Sequence, residues 1–282
     1  MALSMSKPLP SGDWFSDCMA KKIKIFILTY RDPENLNKNL QSLFNSDWEP
    51  ENTEVNIINN HSIDFRLNGE YKDKVIVHHQ SLRANWSCGT PARDWNQAIV
   101  LGFKNLREPA CDQLILCQDD CLWDKDWRSR LDRIHEKYSF YQCSWGDCFI
   151  SLVPDAIKKI GLFDERMCTL GYYEGDFLLR AYLYNRDKSS INDHHHKRVW
   201  QPTETVANRP TSHVKPPKLM NYSQRVFFLK WPGYPKINLT TDWTNTLFQH
   251  TPPHSAIPCF IMYPYFECDV ENLIEKNYVM PI

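Results

Sequence analysis

The chain has 282 residues, enough for one large α/β domain or two small ones with a sizeable core. Charge is almost balanced, 33 Lys and Arg against 34 Asp and Glu, which gives no general pull toward nucleic acid or an anionic membrane. No apolar run approaches the ~20 residues needed to span a bilayer. The first twenty residues lack a basic stretch followed by an apolar one, so no signal peptide is expected.

Residues 1–21 hold Pro, Ser and Gly without a period and are expected to form a flexible tail. Lys22–Thr29 alternates and then runs apolar, which suits a buried parallel strand. Pro33–Phe44 follows as a helix, with proline at its start and Leu36, Leu40 and Leu43 on one stripe. Glu54–Asn59 and Val75–His78 are the next two expected strands. Ala92–Leu106 is a helix carrying Trp95, Ile99 and Phe103, and Gln113–Cys117 is a fourth strand. Lys125–Tyr138 has helical period, Cys148–Val153 is a strand, Pro154–Ile160 a short helix and Glu174–Tyr184 a longer one. From about Arg186 proline becomes frequent and helical period weak. Residues 186–282 are therefore expected to be a loop-rich part that completes the same domain.

Alternating strands and helices of these lengths predict an α/β fold with a mainly parallel sheet and helices on both faces. Ligands in such sheets sit at the carboxyl ends of the strands. Polar clusters follow three of the strands: Thr29-Tyr30-Arg31, Asn59-Asn60-His61-Ser62 and Gln118-Asp119-Asp120.

The pair Asp119-Asp120 at a strand end is costly unless a cation is present. Hard divalent ions take carboxylate oxygen and keep phosphate oxygens as further ligands. The alternative is a solvated turn of helix-capping acids. Glu174 and Asp176 precede an apolar helical stripe; they suit a general base for a hydroxyl, or acids placed for the helix dipole alone. The stretch Asn85-x-x-x-Gly89-x-x-Ala92-Arg93-Asp94-x-Asn96 leads a glycine loop into a helix start, which suits a phosphate. His194-His195-His196 and His213 are candidates for a late metal ligand, with an exposed polar loop as the alternative.

The ten cysteines show no CxxC spacing and no zinc pattern. Four N-x-S/T sequons occur, at Asn60, Asn85, Asn221 and Asn238. Two of them fall on the expected site, where glycans would block it. A cytoplasmic setting with free thiols follows as an expectation.

Taken in order, Ile25–Arg31, Leu36–Phe44, Ile57–Ser62, Asn85–Asn96, Leu114–Asp120 and Gly161–Arg180 resemble the motif series of the GT-A glycosyltransferases, above all the family-2-like group. The resemblance covers roughly residues 22–185. It implies a Rossmann-like GT-A core and transfer of a sugar from a nucleoside-diphosphate sugar to a hydroxyl of a glycan or glycoprotein, with inversion and with Mn2+ or Mg2+. By that resemblance Thr29, Tyr30, Arg31 and Asn59 line the nucleotide pocket, with Asn85, Arg93, Asp94 and Asp119 completing the donor site. Asp120 becomes the metal ligand, with His213 kept as the candidate further ligand, Glu174 the general base, and Asp176 its catalytic neighbour. Four positions depart from the family pattern: Gln118 replaces the first acid of Asp-x-Asp, Asn59 an aspartate, Tyr173 the motif's Glu, and Glu174 the catalytic aspartate. The resemblance extends to small bacterial or virus-encoded soluble transferases, with UDP-xylose among the implied donors.

Two rivals share the layout. A nucleotidyltransferase usually has a glycine-rich loop after the first strand, where this chain reads Thr29-Tyr30-Arg31-Asp32-Pro33. A non-catalytic sugar-binding module would suit Gln118 and Asn59, but not the retention of Asp119, Asp120, Glu174 and Asp176.

Overall fold

A computed structural model describes residues 21–30, 32–60, 67–79, 91–143, 148–168, 171–188, 207–208 and 220–231. Among these, six strands form one sheet: β1 (Ile23–Thr29), β2 (Thr53–Asn59), β3 (Ile76–His79), β4 (Gln113–Gln118), β6 (Phe140–Cys143) and β7 (Phe149–Leu152). Their order is β3-β2-β1-β4-β7-β6. The β3, β2, β1 and β4 strands run parallel, and β7 is antiparallel to both β4 and β6. Two further short strands, β5 (Leu122–Trp123) and β8 (Ala207–Asn208), pair with each other. The helices are α1 (Pro33–Phe44), α2 (Pro91–Phe103), α3 (Trp127–His135), α4 (Pro154–Ile160), α5 (Tyr173–Lys188) and α6 (Met220–Lys230).

Alternation along the strands decides which helix covers which face. Ile25 and Ile27 of β1, Val55 and Ile57 of β2, and Ile115 and Cys117 of β4 point to one face. The buried residues of α1 and α3, including Leu36, Leu40, Trp127 and Leu131, cover that face. Phe26, Ile58, Leu114 and Leu116 point the other way, against α2, α4, α5 and α6. The α/β architecture with a mainly parallel sheet and helices on both faces is thus the one expected. Each fully buried leucine of α1 contributes about 1.5–3 kcal/mol. Helix α1 starts where Asp32 accepts from the Asn35 amide at 2.9 Å, just before Pro33. Helix α2 lies so close to β4 that a Cβ on Gly102 would stand 2.5 Å from Leu114 Cδ1.

Three features differ from the sequence expectations. The helix read as Lys125–Tyr138 is confined to α3 by Asp126 at its N-cap and Glu136 at its C-cap. Strand β6 has only four residues, Phe-Tyr-Gln-Cys, too few to show a period. Within 186–282, read as loop-rich, the structure contains α6. Its pattern is weak because both an apolar face and a buried ion pair enter the core: Phe227, Lys230 and Trp231 are all buried. Among the described residues, no helix is long and apolar enough to cross a membrane.

Candidate functional site

Strand order creates the site. The chain places β2 and β3 on one side of β1 and then crosses over to lay β4 on the other. Crevices in parallel sheets open at such a reversal, beyond the carboxyl ends of the strands. Here the ends are level: His79 pairs with Asn59, Asn59 with Thr29, and Leu28 with Gln118. All the strand-end residues singled out from the sequence, where described, lie along this edge.

The acidic turn after β4 is clamped to β1. Thr29 Oγ1 donates to Asp119 Oδ2 at 2.7 Å, and the Asp119 amide donates to the Leu28 carbonyl at 3.1 Å. The Tyr30 amide approaches the same carboxylate oxygen at 3.4 Å. From below, Asn39 Nδ2 donates to the Gln118 carbonyl at 3.0 Å while its Oδ1 accepts from Trp123 Nε1 at 2.9 Å. Asp119 and Asp120 are 7% and 4% exposed. Burying a carboxylate is costly unless it is compensated. Asp119 is compensated by β1; Asp120 stands beside it as a second hard-oxygen donor. Mg2+ and Mn2+ bind through one or two carboxylates with the remaining positions taken by water and substrate phosphate, so this pair fits such an ion. Among the described residues no three His, Cys, Asp or Glu side chains are grouped to hold a metal by themselves.

Beyond β2, Asn59 Nδ2 donates to His79 Nδ1 at 3.1 Å, and Asn60 Nδ2 donates to Asp94 Oδ2 at 2.7 Å. The second bond ties the first turn of α2 to the end of β2. Two residues on, Asn96 donates to the Phe163 carbonyl at 2.9 Å and to Glu165 Oε1 at 2.7 Å, and accepts from the Phe163 amide at 2.8 Å. The start of α2 therefore links the strand ends to the segment that leads into α5. Arg93, in the same first turn, is exposed.

Glu174 lies in the first turn of α5, half-buried, after two residues with positive φ, Gly171 at 84° and Tyr172 at 70°. Left-handed backbone is routine for glycine but strained for tyrosine. Burial raises the Tyr172 phenol above its ordinary range, and the nearby Glu174 charge adds to that despite a hydrogen bond from Gln224.

Asp176 was expected beside Glu174 as a second catalytic acid, whereas the structure encloses it in the core. Its carboxylate is 0% exposed. It accepts from Arg180 Nε at 3.0 Å and from Trp231 Nε1 at 2.8 Å, and Lys230 Nζ stands 2.6 Å away. Lys230 also reaches Asp164 at 2.9 Å, where Arg166 makes a further pair at 2.7 Å. Arg180 caps the carbonyls of Ile160 and Leu162. Burial opposes ionisation of Asp164, but the Lys230 and Arg166 charges outweigh it and hold the carboxyl well below the usual range. Asp176 is bound from all these sides because buried charge survives only when paired.

Arg31, Asn85 and His213, and the His194–His196 run, lie outside the described residues. Asn39, Lys230 and Trp231 were not singled out from the sequence. Asn39 had a readable signal, a polar residue on the apolar Leu36-Leu40-Leu43 stripe; Lys230 and Trp231 had none.

No family model and no curated protein matches the chain. Solved structures do align with it. S. aureus TarS 1–349 aligns at 14% identity and a TM-score of 0.47, covering 66% of this chain and 59% of that one. The same fragment in complex with UDP-GlcNAc aligns at 13% identity and 0.48, covering 73% and 65%. The mannosyltransferase PcManGT from Pyrobaculum calidifontis, in complex with GDP-Man and Mn2+, aligns at 10% identity and 0.41, covering 74% and 69%. The chain thus spans less than two thirds of either TarS fragment.

Proposed function

We propose that the chain is a metal-dependent, inverting GT-A glycosyltransferase that uses a nucleoside-diphosphate sugar. The observation that carries the proposal is the buried Asp119-Asp120 pair at the β1/β4 crossover, with Asp119 clamped by Thr29 and Asp120 beside it. A structural turn has no need of a second buried acid; a diphosphate site with a divalent ion does.

In this reading Thr29, Tyr30 and Asn59 line the nucleotide pocket, joined by Arg31, Asn85, Arg93 and Asp94 around the ribose and phosphates. Asp119 orients the turn, and Asp120, with His213 as a further donor, holds Mn2+ or Mg2+. The ion, when bound, neutralises charge on the departing nucleoside diphosphate. Glu174 accepts the proton of an acceptor hydroxyl while that oxygen attacks the anomeric carbon from the face opposite the diphosphate. The bond from the anomeric carbon to the diphosphate oxygen breaks in the same step, and the configuration inverts. Asp176, with Arg180, holds the start of α5 instead of touching substrate. The donor is a UDP-sugar, UDP-xylose among the candidates, and the acceptor a hydroxyl of a glycan or glycoprotein. Cys111, Cys117, Cys121, Cys148 and Cys168 are free thiols, which favours a reducing, cytoplasmic setting.

A donor panel tests this. Saturation at about a hundred times Kd stabilises a protein by ~2.7 kcal/mol, equivalent to a rise in Tm of roughly 5–10 °C at this size. The expected result is such a shift with one UDP-, GDP- or TDP-sugar, dependent on Mn2+, followed by release of the nucleoside diphosphate when acceptor is added. No shift with any donor overturns the proposal.

A further inference from the structure

Helix α6 holds the residues on both sides of Glu174. Gln224 Nε2 donates to the Tyr172 hydroxyl at 2.6 Å, and the Tyr172 ring lies 5.5 Å from that of Phe227 and 6.1 Å from that of Phe228. At the end of the helix Lys230 and Trp231 bind Asp176 at 2.6 and 2.8 Å. These contacts fall two residues before and two residues after Glu174.

The turn they hold needs outside support. A non-glycine residue in the left-handed region costs of order 1–3 kcal/mol and persists only where the surroundings over-determine it. Tyr172 has φ of 70°. Its hydroxyl and ring are both engaged by α6. Asp176, two residues into the helix beyond Glu174, draws its Lys230 and Trp231 contacts from the end of α6 as well. Ordinary packing accounts for Phe227 and for the bulk of Trp231. It does not account for a lysine with no exposed surface bridging Asp164 and Asp176 across the entry to α5.

We propose that α6 is a positioning element for the general base: Gln224, Lys230 and Trp231 set the first turn of α5 and thereby aim the Glu174 carboxylate. The inference rests on the reading of Glu174 as that base. The described donor contacts of that reading lie elsewhere, at the ends of β1, β2 and β4 and the start of α2. These α6 contacts therefore govern turnover without governing donor affinity.

The test is a double-mutant cycle on the full chain, read as nucleoside-diphosphate release from the donor that binds. Trp231→Phe keeps the ring bulk and removes the N–H to Asp176. Misplacing a catalytic group by about 1 Å can cost roughly 100-fold, so a smaller displacement should lower kcat by about 10-fold with donor KM unchanged. In a Glu174→Gln background the same substitution should cost nothing further, since no carboxylate is left to aim. Gln224→Leu, at a half-exposed position that tolerates change, should repeat the pattern with a smaller loss. An equal fractional loss in both backgrounds, or no loss in either, overturns the inference and leaves Glu174 as base. If the wild-type chain turns over no donor, the reading of Glu174 falls instead. Hydrogen exchange then decides the α6 contact alone: faster exchange of the 172–178 amides in Trp231→Phe supports it, and unchanged protection overturns it.

Discussion

Thr29 Oγ1 and Asp119 Oδ2 lie 2.7 Å apart, one at the end of β1 and the other just past the end of β4. Removing the donor leaves a buried carboxylate short of a partner, which costs about 1–3 kcal/mol. Thr29→Val, isosteric but without the hydroxyl, is expected to lose that much stability in urea denaturation, and Thr29→Ser to retain most of it. A Thr29→Val chain as stable as wild type removes the clamp from the account of the site.

The two carboxylates assigned to metal and base should separate kinetically. Asp120→Ala is expected to abolish Mn2+-dependent nucleotide binding in titration calorimetry. Glu174→Gln should bind donor normally and lose about 10²–10⁴-fold in kcat, the usual worth of a general base. Full activity in Glu174→Gln means another group takes the proton.

Gly102 measures how tightly α2 lies on the sheet. An added methyl meets Leu114 Cδ1 at 2.5 Å and Phe26 Cε2 at 3.4 Å. Overpacking of a core costs about 1–3 kcal/mol, while replacing a helical glycine by alanine returns roughly 1 kcal/mol. Gly102→Ala is therefore expected to be close to neutral or mildly destabilising, and Gly102→Val to be clearly destabilised in thermal denaturation.

Acid should unfold the chain partly through Asp164. Its carboxyl is held below its ordinary value in the folded state, so the unfolded state binds its proton at higher pH. The stabilisation is then complete above an unfolded carboxylate pKa of about 4 and declines as pH falls below it. Stability measured between pH 7 and 3 should drop on the acid side, and Asp164→Asn, less stable at neutral pH, should show a shallower drop. An unchanged slope in Asp164→Asn excludes this group as a contributor.

Much of the sheet was legible because each strand is defined by neighbours in sequence. Ile23–Thr29 alternates between two faces, Leu36, Leu40 and Leu43 repeat at the helical period, and Pro154 marks the start of a helix. The clustering of polar residues after strands was legible for the same reason. Strand β6 was not, since four residues carry no period, and neither was α6, whose exposed Tyr222 and Leu229 blur its apolar face.

What a residue does within a cluster depends on partners far away in sequence. The motif series singles out Asp120 as the candidate ligand; that Asp119 is braced follows only from Thr29, ninety residues earlier. Local sequence likewise pairs Glu174 with Asp176, and Lys230 and Trp231 separate them by drawing Asp176 into the core. The succession of strands and helices along the chain and the kind of acid were set by local pattern and chemistry, because both act over a few residues. Burial and pairing of charge were decided by the tertiary structure, because only there do distant segments exclude water from the same carboxylate.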